Sequence, residues 1–195
     1  MARPWLNVLA QVVPVPLGLL LSGALVWGAT NADWSGTSSN SGNEWTSRSA
    51  GLANDSKVPM FRVGSMLPGD KGSNCINVKS NADFPTALKL YSNSANWPNN
   101  YQSFIDLKIE VGRGGTFGDC DGFVPHRTAF DGTLDTFVAL HTDFRTGVGP
   151  WPLTGQAPNS LSFRFAWKYS ALAPGGSQGS NTNEVTFTWE ARERT

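Results

Sequence analysis

Apolar and polar residues alternate one for one in several short runs of this chain. In Ile105-Asp106-Leu107-Lys108-Ile109-Glu110-Val111, four β-favouring side chains share one face and three charges the other. That is the pattern of a half-buried strand. The same period recurs, with aromatics on the apolar face, in Leu161–Tyr169 and again in Val185–Ala191. Weaker candidates are 44–52, 60–63, 73–78 and 86–91. Turn formers stand between the runs, at Leu67-Pro68-Gly69-Asp70, at 96–100 and at 173–176. One segment has a different period. From Thr133, the positions Leu134, Phe137, Val138, Leu140, His141 and Phe144 follow three- and four-residue spacing. This predicts an amphipathic helix of two to three turns, capped by Thr133. About seven strands, one inserted helix and no βα alternation predict an all-β fold, an antiparallel β-sandwich or jelly roll.

The beginning of the chain has its own pattern. Arg3 is the only charge before Asp33, and it precedes an apolar stretch of about 15 residues and then small residues. Residues 1–32 therefore read as a secretory leader. Pro14 and Pro16 interrupt the stretch, which is shorter than the roughly 20 residues that span a bilayer. Retention as an anchor is the alternative, and it is the only membrane association the sequence suggests. Cleavage fits after Gly28 or, with a small residue at the cut, between Ala32 and Asp33. Residues 33–43 are polar and rich in Ser and Gly, which predicts a flexible arm ahead of a sandwich domain over 44–195.

Composition narrows the functional classes. Fifteen Lys and Arg balance fifteen Asp and Glu across 195 residues. No basic excess is available to displace counterions from phosphates, which argues against nucleic-acid binding. Only 15% of the chain is charged, and Ser, Thr, Asn and Gly fill the polar positions instead, as in many secreted all-β proteins. Export gives a meaning to Cys75 and Cys120, the only two cysteines. Outside the cytosol an isolated pair is most simply one disulfide.

No set of residues reads as a catalytic centre. His126 and His141 are the only histidines, and neither lies in an H-E-x-x-H helix that would hold zinc. His141 falls on the apolar side of the predicted helix, as a satisfied boundary residue; His126 falls in a loop. Gly118-Asp119-Cys120-Asp121-Gly122 places two carboxylates in a tight turn, but calcium needs six to eight oxygens and this is no EF-hand loop. Whether Asp119 and Asp121 contribute to a calcium site stays open at this point. Gly112-Arg113-Gly114-Gly115 lacks the Lys-Ser/Thr of a phosphate loop. The sequence thus implies no cofactor and no catalytic or metal residue. Trp167 and Trp189 fall on inward strand faces. Trp97 and Trp151, beside prolines, are the candidates for an exposed aromatic surface that could stack on sugars.

Three stretches carry a family resemblance. Gly28-Ala29-Thr30-Asn31-Ala32-Asp33-Trp34-Ser35 resembles the end of leaders processed by the SipW type of signal peptidase. Met66-Leu67-Pro68-Gly69-Asp70 followed by Cys75-Ile76-Asn77-Val78 is similar to a turn and strand of TasA and camelysin-like proteins. The ending Phe187–Arg192 resembles members from high-GC Gram-positive bacteria. Trp34 stands where that family has Phe. The resemblance implies a secreted jelly-roll protein of the cell surface or biofilm matrix, able to form fibres. The metallo-endopeptidase activity implied by the camelysin name has no motif residues here to receive it.

The resulting expectation is a secreted, non-enzymatic structural protein that forms a homo-oligomer or filament. A carbohydrate-binding or adhesion module, with a cell-wall or matrix polysaccharide as partner, is the alternative, and a camelysin-like metallo-endopeptidase is the third reading. For assembly, residues 33–40 are a candidate strand donor, with Trp34 as apolar anchor in the next subunit; the alternative is that this arm pairs within its own subunit as an ordinary first strand or stays loose.

Overall fold

The computed structural model describes residues 35–40 (backbone only), 51–63, 66–94, 101–173 and 184–194. Nine strands lie in this part of the chain: β1 (Ser35–Asn40), β2 (Leu52–Asn54), β3 (Lys71–Ser80), β4 (Thr86–Tyr91), β5 (Ile105–Arg113), β6 (Val124–Thr133), β7 (Val148–Leu153), β8 (Ser160–Tyr169) and β9 (Phe187–Glu193). They form two sheets, ordered β1-β9-β4-β7 and β2-β3-β8-β5-β6. Every neighbouring pair is antiparallel. The all-β sandwich with one short helix is therefore the fold.

The three strongly alternating runs become β5, β8 and β9, because each has one face that must leave water. Ile105, Leu107, Ile109 and Val111 of β5 are buried, as are Phe163 and Phe165 of β8 and Phe187, Trp189 and Ala191 of β9. Aromatic pairs tie the sheets together. Phe165 meets Phe187 at 4.8 Å between ring centres, Phe163 meets Trp189 at 5.7 Å, and Trp151 of β7 meets Phe163 edge-on at 5.1 Å. Burying one such ring contributes about 1.5–3 kcal/mol.

Several expectations need correction. β6 and β7 have no counterpart among the predicted runs. β6 is exposed over Val124–Thr128, so no apolar alternation marks it. β7 contains Pro150 and Pro152, which a central strand would not tolerate. It lies at the edge of its sheet. The weak candidate at 60–63 is not a strand; Met60 is buried from a loop. The candidate at 44–52 lies outside the described residues except for its end, where β2 begins. Within the expected flexible arm, Ser35–Asn40 is strand β1, paired with β9 from Ser35↔Arg192 to Asn40↔Phe187. The edge of β9 supplies the hydrogen-bonding partners that these weak strand formers lack on their own.

The helix α1 spans Leu134–Leu140, about two turns, and buries Leu134, Phe137 and Val138. Thr133 occupies the N-cap position but makes no side-chain cap. Its hydroxyl is engaged by the Asp135 carboxylate and by Thr136 Oγ1, and Asp135 accepts the Thr136 N–H at 2.8 Å. The helix stops before Phe144 because the next residues form a side-chain-held turn. Asp143 accepts the Thr146 N–H at 2.8 Å and its hydroxyl at 2.9 Å. These bonds, the backbone one foremost, hold the Asp143 carboxyl below its ordinary pKa.

Candidate functional site: sheet edges and a disulfide-held hairpin

A β-sandwich can interact through its sheet edges, and here the two edges of the five-stranded sheet differ in construction. Along β3, strand β2 pairs with only Val78, Lys79 and Ser80. The adjacent stretch is covered by side chains and by the connection between β5 and β6. Asp55 donates its N–H to the Asn77 carbonyl at 3.2 Å, and its carboxylate accepts the Asn77 N–H at 2.8 Å. The same carboxylate accepts the Phe117 N–H at 2.8 Å. Gly118 donates to the Cys75 carbonyl at 3.3 Å and to Asn74 Oδ1 at 2.9 Å.

A disulfide between Cys75 and Cys120 fastens this hairpin, with the two Cα atoms 5.2 Å apart. The pairing expected from the cysteine count is thus present. The hairpin folds tightly at Gly114, where φ is +75° and an added Cβ would lie 2.1 Å from the Gly122 carbonyl oxygen. No L side chain fits there. Asp119 serves the turn: its carboxylate accepts the Asp121 N–H at 2.9 Å. Among the described residues, no group of three or more His, Cys, Asp or Glu side chains is arranged to hold a metal ion.

Beside the hairpin, the outer face of the five-stranded sheet holds an ionic row. Arg164 Nε donates to Glu110 at 2.8 Å, and Lys108 Nζ lies 3.3 Å from the other carboxylate oxygen. Glu110 itself is 8% exposed. Burial would raise its pKa, but hydrogen bonds and positive charge from Arg164 and Lys108 outweigh that effect and hold it below the ordinary carboxylate value. The Arg164 guanidinium also sits 5.1 Å from the Phe123 ring centre, joining this row to the base of the hairpin.

The four-stranded sheet carries a second polar cluster. Glu190 accepts the Tyr91 hydroxyl at 2.9 Å and Arg192 Nε at 2.7 Å. Arg192 lies 4.2 Å from the centre of the Phe144 ring. Burial, followed by the Glu190 hydrogen bond and charge, pushes the Tyr91 phenol well above its ordinary pKa. Neither cluster is evident in full in the sequence: Lys108 with Glu110 and Glu190 with Arg192 are pairs two apart on one strand, but only cross-strand neighbours bring in Arg164 and Tyr91. In β5 and β9 the charges read simply as the solvent half of an alternation.

Of the proposed aromatic surface, Trp151 must be withdrawn. It is 4% exposed and packs against Phe163, because β7 turns it inward between two prolines. Trp97, Trp34, Ala32, Asp33 and the leader 1–32 lie outside the described residues. Trp189 is fully buried as expected, whereas Trp167 is only partly covered. His141 closes α1, with Nδ1 2.6 Å from the Thr146 carbonyl oxygen. It is a satisfied boundary residue. His126 is exposed, on β6 rather than in a loop.

No known family model matches this chain. No curated protein matches it either.

Proposed function

We propose that this protein is an exported, non-enzymatic structural component of a cell surface or extracellular matrix that assembles by strand exchange. The observation that carries the reading is β1. Six residues near the chain's beginning, Ser35-Gly36-Thr37-Ser38-Ser39-Asn40, form the outermost strand of the four-stranded sheet through antiparallel pairing with β9. Gly, Ser and Asn have little intrinsic strand preference, so β1 depends on the hydrogen bonds that β9 offers. Identical bonds are available on the β9 of a second copy. An element that pairs equally well within and between subunits can be exchanged, and an exchange that does not close on itself propagates as a filament. Trp34, one residue before β1, would serve as apolar anchor.

The resemblance to TasA and camelysin-like secreted proteins agrees with this reading, as do the leader-like pattern of residues 1–32 and the single disulfide. Carbohydrate binding loses one of its two named residues with the burial of Trp151. The test is deletion of residues 33–40 from the mature protein, followed by sedimentation and negative-stain microscopy. Loss of polymers with a folded monomer by circular dichroism is the expected result. Polymers unchanged by the deletion reject strand exchange. A protein that stays monomeric at every concentration and does not attach to cells rejects the structural role.

A further inference from the structure

At one end of the sandwich the two sheets leave space between them. The cavity has a volume of about 180 Å³ and takes Met60 and Met66 from the loop before β3, Leu107 from β5, Leu134 from α1, Trp167 from β8 and Phe187 from β9. Among the described residues, every side chain in its lining is apolar except the exposed Glu184. Trp167 forms one wall by lying against Gly72, where an added Cβ would meet its indole Nε1 at 2.8 Å. The side chain therefore depends on a glycine to occupy this place.

Well-packed interiors leave few voids larger than a water molecule, so a space of this size is an exception. The space is partly open to solvent and its lining is mostly apolar, so water inside it finds few hydrogen-bonding partners. The two segments joined directly to lining residues, 64–65 and 174–183, contain no large apolar side chain. Residues 174–183, directly before Glu184, read Pro-Gly-Gly-Ser-Gln-Gly-Ser-Asn-Thr-Asn, and residues 64–65 are Gly-Ser. An apolar cavity of about 150 Å³ is known to stay dry and to bind benzene. Thioether side chains adapt to rings of varied shape, and two of them line this cavity.

We propose that this cavity is a binding site for a small, neutral, apolar molecule about the size of one six-membered ring. The inference goes beyond the structural role and is independent of whether the protein polymerises. Its test uses the methionines, because the chain has three, Met1, Met60 and Met66, and two of them line the cavity. The protein is labelled with ¹³C at the methionine methyl groups and titrated with benzene, with glucose as a polar ring of similar size.

The expected result is a saturable shift of the Met60 and Met66 methyl signals, with intermolecular NOEs from benzene to both shifted methyls. Glucose produces neither effect. Val185→Phe and Ile105→Phe, which place a ring in the same space, weaken benzene binding at least tenfold in whichever variant retains the native fold. Absence of saturable shifts or of NOEs overturns the proposal, and that measurement requires no variant. Binding of equal strength in a folded Val185→Phe or Ile105→Phe protein also overturns it. So does a chain that fills the cavity itself: Met60 and Met66 signals that are ring-shifted without ligand and lose that shift in Trp97→Ala.

Discussion

The five-stranded sheet ends in β3 and β2 on one side and in β6 on the other, and the two edges manage the same hazard differently. Unpaired backbone groups invite another strand to add. Beside β3 the chain covers them with Asp55, with the Gly118 N–H and with a hairpin fastened by the Cys75–Cys120 disulfide. Strand β6 is left exposed, but its register against β5 shifts twice, past Ala129 and past His126. Bulges of this kind break the regular spacing that an incoming strand needs. One edge is closed by a cover held covalently, the other by irregular geometry. The first concentrates its stability in a few groups, whereas the second spreads its effect over residues that individually matter little.

That contrast is open to measurement, and the disulfide should show the largest effect. Replacing Cys75 and Cys120 together by Ser releases a sequence separation of 45 residues. The chain-entropy relation gives a loss of about 4 kcal/mol. Thermal unfolding should fall by roughly 10 °C for a domain of this size. A loss below about 1 kcal/mol would mean that the hydrogen bonds alone keep the cover in place.

Gly114→Ala comes next. The new methyl meets the Gly122 carbonyl oxygen at a residue with φ +75°. We expect a loss of about 2 kcal/mol in denaturant unfolding. A neutral result would show that the hairpin can open without cost, contrary to the tight cover described.

The ionic row beneath the hairpin gives a smaller effect with a definite pH dependence. Glu110→Gln should cost about 1–2 kcal/mol at neutral pH, since the carboxylate is buried while Arg164 remains partly solvated. The folded-state pKa of Glu110 lies below its ordinary 4.5. Its ionised form therefore stabilises the fold fully above pH 4.5, and that contribution disappears as pH falls through the lower folded value. Unfolding measured from pH 7 to pH 2 should show the wild-type and Glu110→Gln curves converging in acid. Curves that remain parallel would remove the ion pair from the account.

On the other edge, Arg127 of β6 is exposed. Arg127→Ala should change stability by no more than about 0.5 kcal/mol. A larger loss would show that β6 is held by more than its register with β5.

The legible parts of this fold were those in which one rule dominated locally. β5, β8 and β9 have one dry and one wet face, so the alternation that seats Ile109, Phe165 and Trp189 is written directly in the chain. The cysteine pair was legible by counting. β6 was not, because an exposed edge strand with two bulges carries neither an apolar face nor a regular period. β7 was obscured by Pro150 and Pro152, which mark a turn in most contexts and an edge strand here. Trp151 was misjudged for the same reason: neighbouring prolines suggested a loop, whereas the strand they permit points the indole into the core.

Sequence alone thus determined the all-β class, the inward faces of the principal strands, the short helix and the disulfide partners, since each follows from local periodicity or from a count of two. Tertiary structure decided that β1 pairs with β9, that Asp55 and the hairpin cover β3, that Glu110 meets Arg164, and that Trp167 and Phe187 face a common cavity. Those outcomes depend on register and on which strands become neighbours. Contacts between residues far apart in the chain fix both, and no local pattern encodes them.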